Sequence, residues 1–305
     1  MTPKIIVILG PTASGKSRLA VELALSVGGE VVNADSQQVY RGMNIGTSKP
    51  SAAEMRGVPH HLYSLVEPDT GFDAAEFARR ADEAIGDIVT RRRVPIVCGG
   101  TGLYVRSLTR GLAEMPPVPP AIREKVGAEI EKKGVAAAHG RLHGVDPGAA
   151  EKISPTDRQR IRRALEVFEA TGVPISEFQK KHRFSARRYE CAKFALRVPR
   201  AELHRRIGER SRLMFEHGLV EEVRGLLSKG HAPTLRAFKA IGYRQAVDVI
   251  RGLLTVEQAV ELTARDTRRY AKRQETWFRA DPEVRWVDAG DADAALKLVR
   301  AFLGL

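Results

Sequence analysis

The feature that most restricts this chain is the run GPTASGKS, from Gly10 to Ser17. It meets the pattern GxxxxGK[ST] at Gly10, Gly15, Lys16 and Ser17, and it sits between a β-branched run, KIIVIL, and a helical pattern, the context such a loop requires. Pro11, Thr12, Ala13 and Ser14 complete a turn whose backbone N–H groups, with the helix N-terminus behind them, surround an anion. Lys16 adds a mobile positive charge, and the Ser17 hydroxyl can ligate Mg²⁺. The loop therefore implies a bound diphosphate. It leaves open whether that diphosphate belongs to ATP or to another compound.

Further apolar, β-branched runs at Glu30 to Asn33, Val94 to Cys98, Lys193 to Val198 and Val284 to Val287 read as buried strands joined by helices. The fold class expected is α/β, a parallel sheet of the P-loop NTPase or nucleotide-kinase type with helices on both faces and ligands at the carboxyl ends of its strands. After the third strand comes a stiff proline-rich connector, Met115 to Pro120, and then helical patterns broken by Gly and Pro with no strand signal. Residues 118–190 are accordingly read as a helical insertion domain standing over the active end of the sheet. Residues 1–117 and 191–305 are read as the catalytic core.

A formal net charge of +13 over 305 residues exceeds what solubility needs and favours a polyanionic partner, with nucleic acid first among them. Two cysteines are too few for a disulfide framework, so both read as free thiols in a reducing cytosol. The first strand begins at once, leaving no room for a signal peptide, and no apolar run is long enough to span a bilayer. A cytoplasmic protein without membrane contact is expected.

The neighbouring strand ends carry the remaining candidates. The second strand leads into Asp35, whose carboxylate could hold Mg²⁺ through water, accept a proton from an incoming nucleophile, or simply cap a helix. The third leads into GGTG, where Gly99, Gly100 and Gly102 permit close backbone approach and Thr101 offers a hydroxyl. His60 and His61 are adjacent and so face opposite ways, and the other ligands zinc would need are not apparent.

With these residues in place, the chain resembles the bacterial tRNA dimethylallyltransferases, also called tRNA isopentenyltransferases. The resemblance rests on the order and spacing of GPTASGKS, DSQQVYRGMNIGTSKP, VPHHLYSL, GGTGLYVRSL, SPTDRQRIRRALEVFEATGVPIS, IGYRQ and RRYAKRQETWFR. One small departure is Ser48, where the family more often has Ala. The resemblance implies transfer of the five-carbon group of dimethylallyl diphosphate to N6 of the adenosine at tRNA position 37, just 3′ of the anticodon, with release of diphosphate. It implies catalytic roles for Asp35, Thr101 and Lys16, with Asp35 as the base for a poorly nucleophilic amine. It extends the role of meeting the departing diphosphate to Thr101 and to an arginine of the segment holding Arg206 and Arg210, with Mg²⁺ on Ser17 as the expected cofactor.

For the tRNA anticodon stem-loop the resemblance points to Asp35, Ser36, Gln37, Gln38, Thr101, Arg123 and the run Gln159, Arg160, Ile161, Arg162 and Arg163. Arg269 and Arg273 share a late helix with Tyr270, Trp277 and Phe278, where basic groups could meet phosphates and an aromatic could stack on a base or pack in the core. A monomer is expected. A nucleoside kinase would use the same loop and an arginine-rich lid, but it leaves the basic tail unexplained. A guanine-reading NKxD motif is missing, which weakens an RNA-binding GTPase. Prenylation of free adenylate would have no need of an arginine-bearing insertion.

Overall fold

The computed structural model of the chain describes residues 2–113, 115–182 and 187–305. Its sheet contains β1 (Lys4–Leu9), β2 (Gly29–Asn33), β3 (His60–His61), β4 (Val94–Gly99), β5 (Glu190–Arg197) and β6 (Val284–Asp288), all parallel, in the order β3-β2-β4-β1-β5-β6. In β1, Ile5 to Leu9 are at most 3% exposed, because helices cover both faces of the sheet. That is why the run is continuously apolar instead of alternating.

Helix α1 (Lys16–Val27) follows β1; α2 (Ala52–Met55) and α3 (Ala74–Thr90) lie between β2 and β4; and α4 (Gly102–Arg110) follows β4. The helical stretch then comprises α5 (Pro120–Lys133), α6 (Val135–Val145), α7 (Pro147–Ala150), α8 (Arg158–Thr171) and α9 (Ile175–His182). Between β5 and β6 run α10 (Arg200–Glu216), α11 (Leu219–Ser228), α12 (Tyr243–Ile250) and α13 (Val256–Arg279), and α14 (Ala292–Leu303) ends the chain. One face of the sheet buries Ile6, Ile8, Val31, Ile96 and Phe194 with Leu19 and Leu23 of α1 and Val299 of α14. Near β5, Leu203 and Ile207 of α10 pack with Ala264 and Ala271 of α13.

The chain divides into two compact units, one of Met1–Thr109 with Arg187–Leu305 and one of Arg110–Ala186. The second has its own core, in which Val126, Ile130, Leu142, Ile161 and Leu165 are at most 3% exposed. Pro120 occupies the first turn of α5, where its missing N–H costs nothing. In the first unit, the points where the chain leaves and returns are stitched together: the Arg188 N–H donates to the Thr109 carbonyl at 3.3 Å and its guanidinium to the Leu108 carbonyl at 3.1 Å. The neighbouring Tyr189 hydroxyl donates to Asp82 at 2.6 Å.

Two strands differ from the sequence expectation. β3 pairs with β2 through His60 and His61 alone, and two polar residues give no strand signal. β5 begins at Glu190 and carries Lys193 inside the sheet, 3% exposed. Asp281 at 2.9 Å and Glu283 at 2.8 Å neutralise that ammonium group, which is what allows a charge in a buried strand.

Candidate active site

The loop between β1 and α1 folds as its glycines dictate. Gly15 has φ 89° and ψ 9°, a left-handed conformation that a β-carbon would strain, and it stands at the N-terminus of α1 where no side chain caps the helix. By contrast, Asp73 caps α3, Thr255 caps α13 and Asp291 caps α14. The first-turn N–H groups of α1 thus have neither intrahelical acceptors nor a capping side chain, the arrangement that welcomes an anion. The Ser14 hydroxyl is 1% exposed and has no hydrogen-bond partner among the described residues.

A cavity of about 300 Å³ includes Thr12, Lys16, Asp35, Gln37, Arg210 and Tyr270 in its lining. A second hollow of about 610 Å³ shares Lys16 and Arg210 with it and adds Gly15, Ser17 and Arg206. Burial lowers the Lys16 pKa, while Cys98 and Asp35 pull it back up and Arg210 lowers it further. Burial also lowers that of Arg210, against the pull of Asp35 and Glu54. Two buried cations thus stand at one loop, with Asp35 and Glu54 the carboxylates that act on them. Below them the Cys98 thiol is pushed up to about 11 by burial, so it is an inert packing group.

The turn after β2 is shaped by Asn33, whose Oδ1 accepts the Asp35 N–H at 3.0 Å while its amide donates to the Leu62 carbonyl at 3.0 Å. Asp35 is half-buried. Its Oδ1 accepts the Gln37 N–H at 2.8 Å in a local turn, so the carboxylate caps no helix and faces the cavity. The Thr101 hydroxyl, from the turn after β4, accepts the Ser36 N–H at 3.0 Å, and the Thr101 N–H donates to the Ala34 carbonyl at 3.3 Å. Asp35 and Thr101, 66 positions apart, are thereby brought to adjoining turns.

Sequence reasoning missed what holds these turns. Gln274 of α13, 5% exposed, accepts the Thr12 N–H at 3.0 Å on Oε1 and donates to the Gly100 carbonyl at 2.8 Å from Nε2. Tyr270, one turn earlier, lines the cavity beside Thr101 and Gln274, and burial pushes its phenol up to about 12. It therefore stands at the cavity as a neutral phenol. Glu222 of α11 accepts N–H groups of Asn44 at 3.0 Å and Ile45 at 2.8 Å and the Tyr243 hydroxyl at 2.5 Å, fixing the segment that brings Gly46 and Thr47 to the cavity. Each of these partners is remote in sequence, and no local pattern announces it.

The other sequence candidates fall as follows. Arg210 lines both hollows, whereas Arg206 lines the larger of the two but not the cavity holding Asp35, and is ion-paired with Glu202 at 2.7 Å. Gln37 and Ser36 line the cavity, but the Gln38 side chain is 8% exposed and spends its amide donors on the carbonyls of Thr47 and Ser48. Arg273 also borders the cavity and lies over the Tyr270 ring at 5.7 Å, while Arg269 is exposed beside Asp266 at 4.0 Å. Phe278 is core at 1% exposure, and Trp277 packs over Gly102, where a β-carbon would come within 2.1 Å of the ring. His61 binds Glu30 at 2.7 Å and His60 faces the Val58 carbonyl at 2.8 Å.

Within the second unit, Gln159 and Arg160 are exposed at the start of α8, and Arg163 is half-buried. Arg162 is held by Glu166 at 2.7 Å and by the carbonyl of Arg123 at 2.9 Å. Ile161 is the exception: at 0% exposure its side chain belongs to that unit's core, so the helix period that exposes its neighbours withholds it from any ligand.

No helix among the described residues is long and apolar enough to cross a membrane. Among them, too, no cluster of three or more His, Cys, Asp or Glu side chains could hold a metal. The hard oxygen at the loop is the Ser17 hydroxyl, which suits Mg²⁺ completed by water and substrate phosphates in place of a full protein ligand set.

Comparison with known proteins agrees with this geometry. Residues 38–281 match the family described as IPP transferase, and residues 3–71 that described as isopentenyl transferase. The tRNA dimethylallyltransferase of Geobacter sulfurreducens is 50% identical over 302 residues, covering 99% of this chain and 97% of its own. Among solved structures, the full-length tRNA isopentenylpyrophosphate transferase of Bacillus halodurans superposes with a TM-score of 0.74 at 36% identity, covering 100% of this chain and 97% of that one. A eukaryotic dimethylallyltransferase acting on tRNA gives 0.82 at 28% identity, covering 97% of this chain and 78% of that one. With a family match across most of its length and a relative at half identity end to end, the chain belongs to the IPP transferase family.

Proposed function

We propose that this protein is a cytoplasmic tRNA dimethylallyltransferase that moves the dimethylallyl group of dimethylallyl diphosphate onto N6 of the adenosine just 3′ of the anticodon. The observation that carries this reading is that Asp35 shares one cavity with Lys16 and Arg210, so a proton acceptor and the cations a leaving diphosphate requires face the same space.

In the reaction the N6 nitrogen attacks C1 of the donor, the C1–O bond breaks and its electron pair departs with the diphosphate. Asp35, with Oδ1 tied to Gln37, offers its other oxygen to the N6 proton as the C–N bond forms. Lys16, Arg210 and the first-turn amides of α1 meet the charge growing on the diphosphate. A magnesium ion on Ser17 would supply further neutralisation of that leaving group. Thr101, whose hydroxyl holds the Ser36 N–H, supports the turn that carries Asp35 to the cavity. For the base to enter, it must leave the anticodon stack, at a cost of roughly a few kcal/mol. Arg273 at the cavity, and Arg123, Gln159, Arg160 and Arg163 of the helical unit, are the groups that offset this cost by binding tRNA phosphates.

The test is to incubate the protein with tRNA, dimethylallyl diphosphate and Mg²⁺ and then weigh the adenosine nucleosides. A gain of one prenyl group is expected, and Asp35→Asn should abolish it with tRNA affinity nearly intact. Phosphate transfer from ATP without prenylation would refute the reading in favour of a kinase.

A further inference from the structure

The turns following β1 and β2 line the cavity together with α10 and α13, and the turn following β4, behind that lining, is hydrogen-bonded to Gln274 and to the β2 turn. From Thr12 the chain passes to Gln274 and on to the Gly100 carbonyl, and Thr101, the next residue of that turn, receives the Ser36 N–H. Gln274 is the central link. It lies hard against the turn after β4, since a β-carbon on Gly100 would be 2.2 Å from its Nε2.

The chemistry of the side chain explains why it is a glutamine. The Thr12 N–H needs an acceptor and the Gly100 carbonyl needs a donor, and a primary amide gives both from one planar end while staying neutral at any working pH. A carboxylate would face the Gly100 carbonyl oxygen without a proton and add a negative charge beside Asp35. A thioether would leave both backbone groups short of a partner. The bond also commits the Thr12 amide to Gln274, which leaves the diphosphate to the later amides of the loop and to Lys16 and Arg210.

We propose that Gln274 is a positioning residue for prenyl transfer: it sets the spacing between the loop that grips the departing diphosphate and the turn that carries Thr101, so that carbon and nitrogen meet within bonding reach. This rests on the function proposed above. Displacing reacting groups by about 1 Å costs on the order of 100-fold in rate.

The test uses the full chain with Gln274→Met and Gln274→Glu, measured with both substrates varied and with melting temperatures recorded. Gln274→Met should lower kcat by roughly 30- to 100-fold and leave both KM values within about threefold of wild type. Gln274→Glu should be equally poor at pH 8, but its kcat relative to wild type should rise about tenfold towards pH 5.5, because the protonated carboxyl can both donate and accept as the amide does. Burial and Asp35 raise the pKa of that introduced carboxyl, Lys16, Arg210, Lys239 and Arg273 lower it, and Tyr270 and Cys98 stay neutral throughout this range. A ratio flat with pH, or losses confined to KM or to melting temperature, would overturn the proposal. If wild type itself transfers no prenyl group, the functional reading falls and takes this one with it. If wild type is active and Gln274→Met keeps its kcat, the positioning role alone is lost.

Discussion

Removal of the Glu222 carboxylate tests how the cavity wall is held. The group ties together the Asn44 and Ile45 amides and the Tyr243 hydroxyl, at 3.0, 2.8 and 2.5 Å, and a third amide, Gly46, is 3.5 Å away and adds little. Each bond to a charged acceptor contributes about 1.5 kcal/mol at the lower end of the usual range, appropriate for a half-buried site. With three such bonds lost and some water regained at the exposed Asn44 amide, Glu222→Ala should destabilise its unit by about 3–4 kcal/mol. Glu222→Gln keeps one acceptor oxygen and should cost about 1–2 kcal/mol, and Tyr243→Phe about 1 kcal/mol. The double variant Glu222→Ala/Tyr243→Phe should fall short of the summed single effects by about 1 kcal/mol, because the bond between the two residues is counted in both. Urea unfolding followed by tryptophan fluorescence is the appropriate assay, since Trp277 and Trp286, the two tryptophans of the chain, both lie in that unit. A Glu222→Ala effect below about 1 kcal/mol, or strict additivity, would refute the reasoning.

Other expectations follow from the same geometry. Gly15→Ala places an L-residue at φ 89°, which strains the loop by about 1–2 kcal/mol, and should raise the KM for dimethylallyl diphosphate; an unchanged KM would mean the loop does not grip the donor. Arg273→Ala should lower the salt slope of tRNA binding by about 1 and also reduce turnover, whereas Arg269→Ala, remote from the cavity, should alter binding alone. Burial pushes the Glu30 carboxyl up, but hydrogen bonds from Arg91 and His61 outweigh this and leave it below the usual carboxylate value. A depressed folded pKa contributes stability above the unfolded value of about 4.3 that is lost as pH falls through the folded one. The stability advantage of wild type over Glu30→Gln, measured by urea unfolding, should accordingly shrink as pH falls below about 4, and a constant gap would argue against the effect.

What the sequence revealed tracks how local each determinant is. The phosphate loop and β1, β2 and β4 were legible because eight contiguous residues and apolar runs specify them with no help from elsewhere. Asp35 and Thr101 were legible as strand-end residues, but their adjacency depends on the β2–β4 register, which pairs Asn33 with Cys98. Tyr270 looked like one aromatic of a basic helix that could stack on a base. Its place at the cavity beside Gln274 depends on how α13 is placed, and spacing within the helix does not show that. Glu222 and Gln274 had no signal at all, because their partners lie 177 and 262 residues away. Ile161 was carried with its arginine neighbours as a contact residue, and only the helix period separates it from them.

The stitched exit and return of the chain at Thr109 and Arg188 bears on how a protein of this design can change over time. Because the two ends meet through one backbone hydrogen bond, the first unit presents a closed seam there, and the length of what is spliced into it is almost invisible to its folding. Doubling a flexible connection costs only about 0.6 kcal/mol in closure entropy, so the helical segment can be lengthened, trimmed or exchanged without dismantling the catalytic sheet. The length of the helical segment can then change while the β-sheet and its phosphate loop keep their own fold.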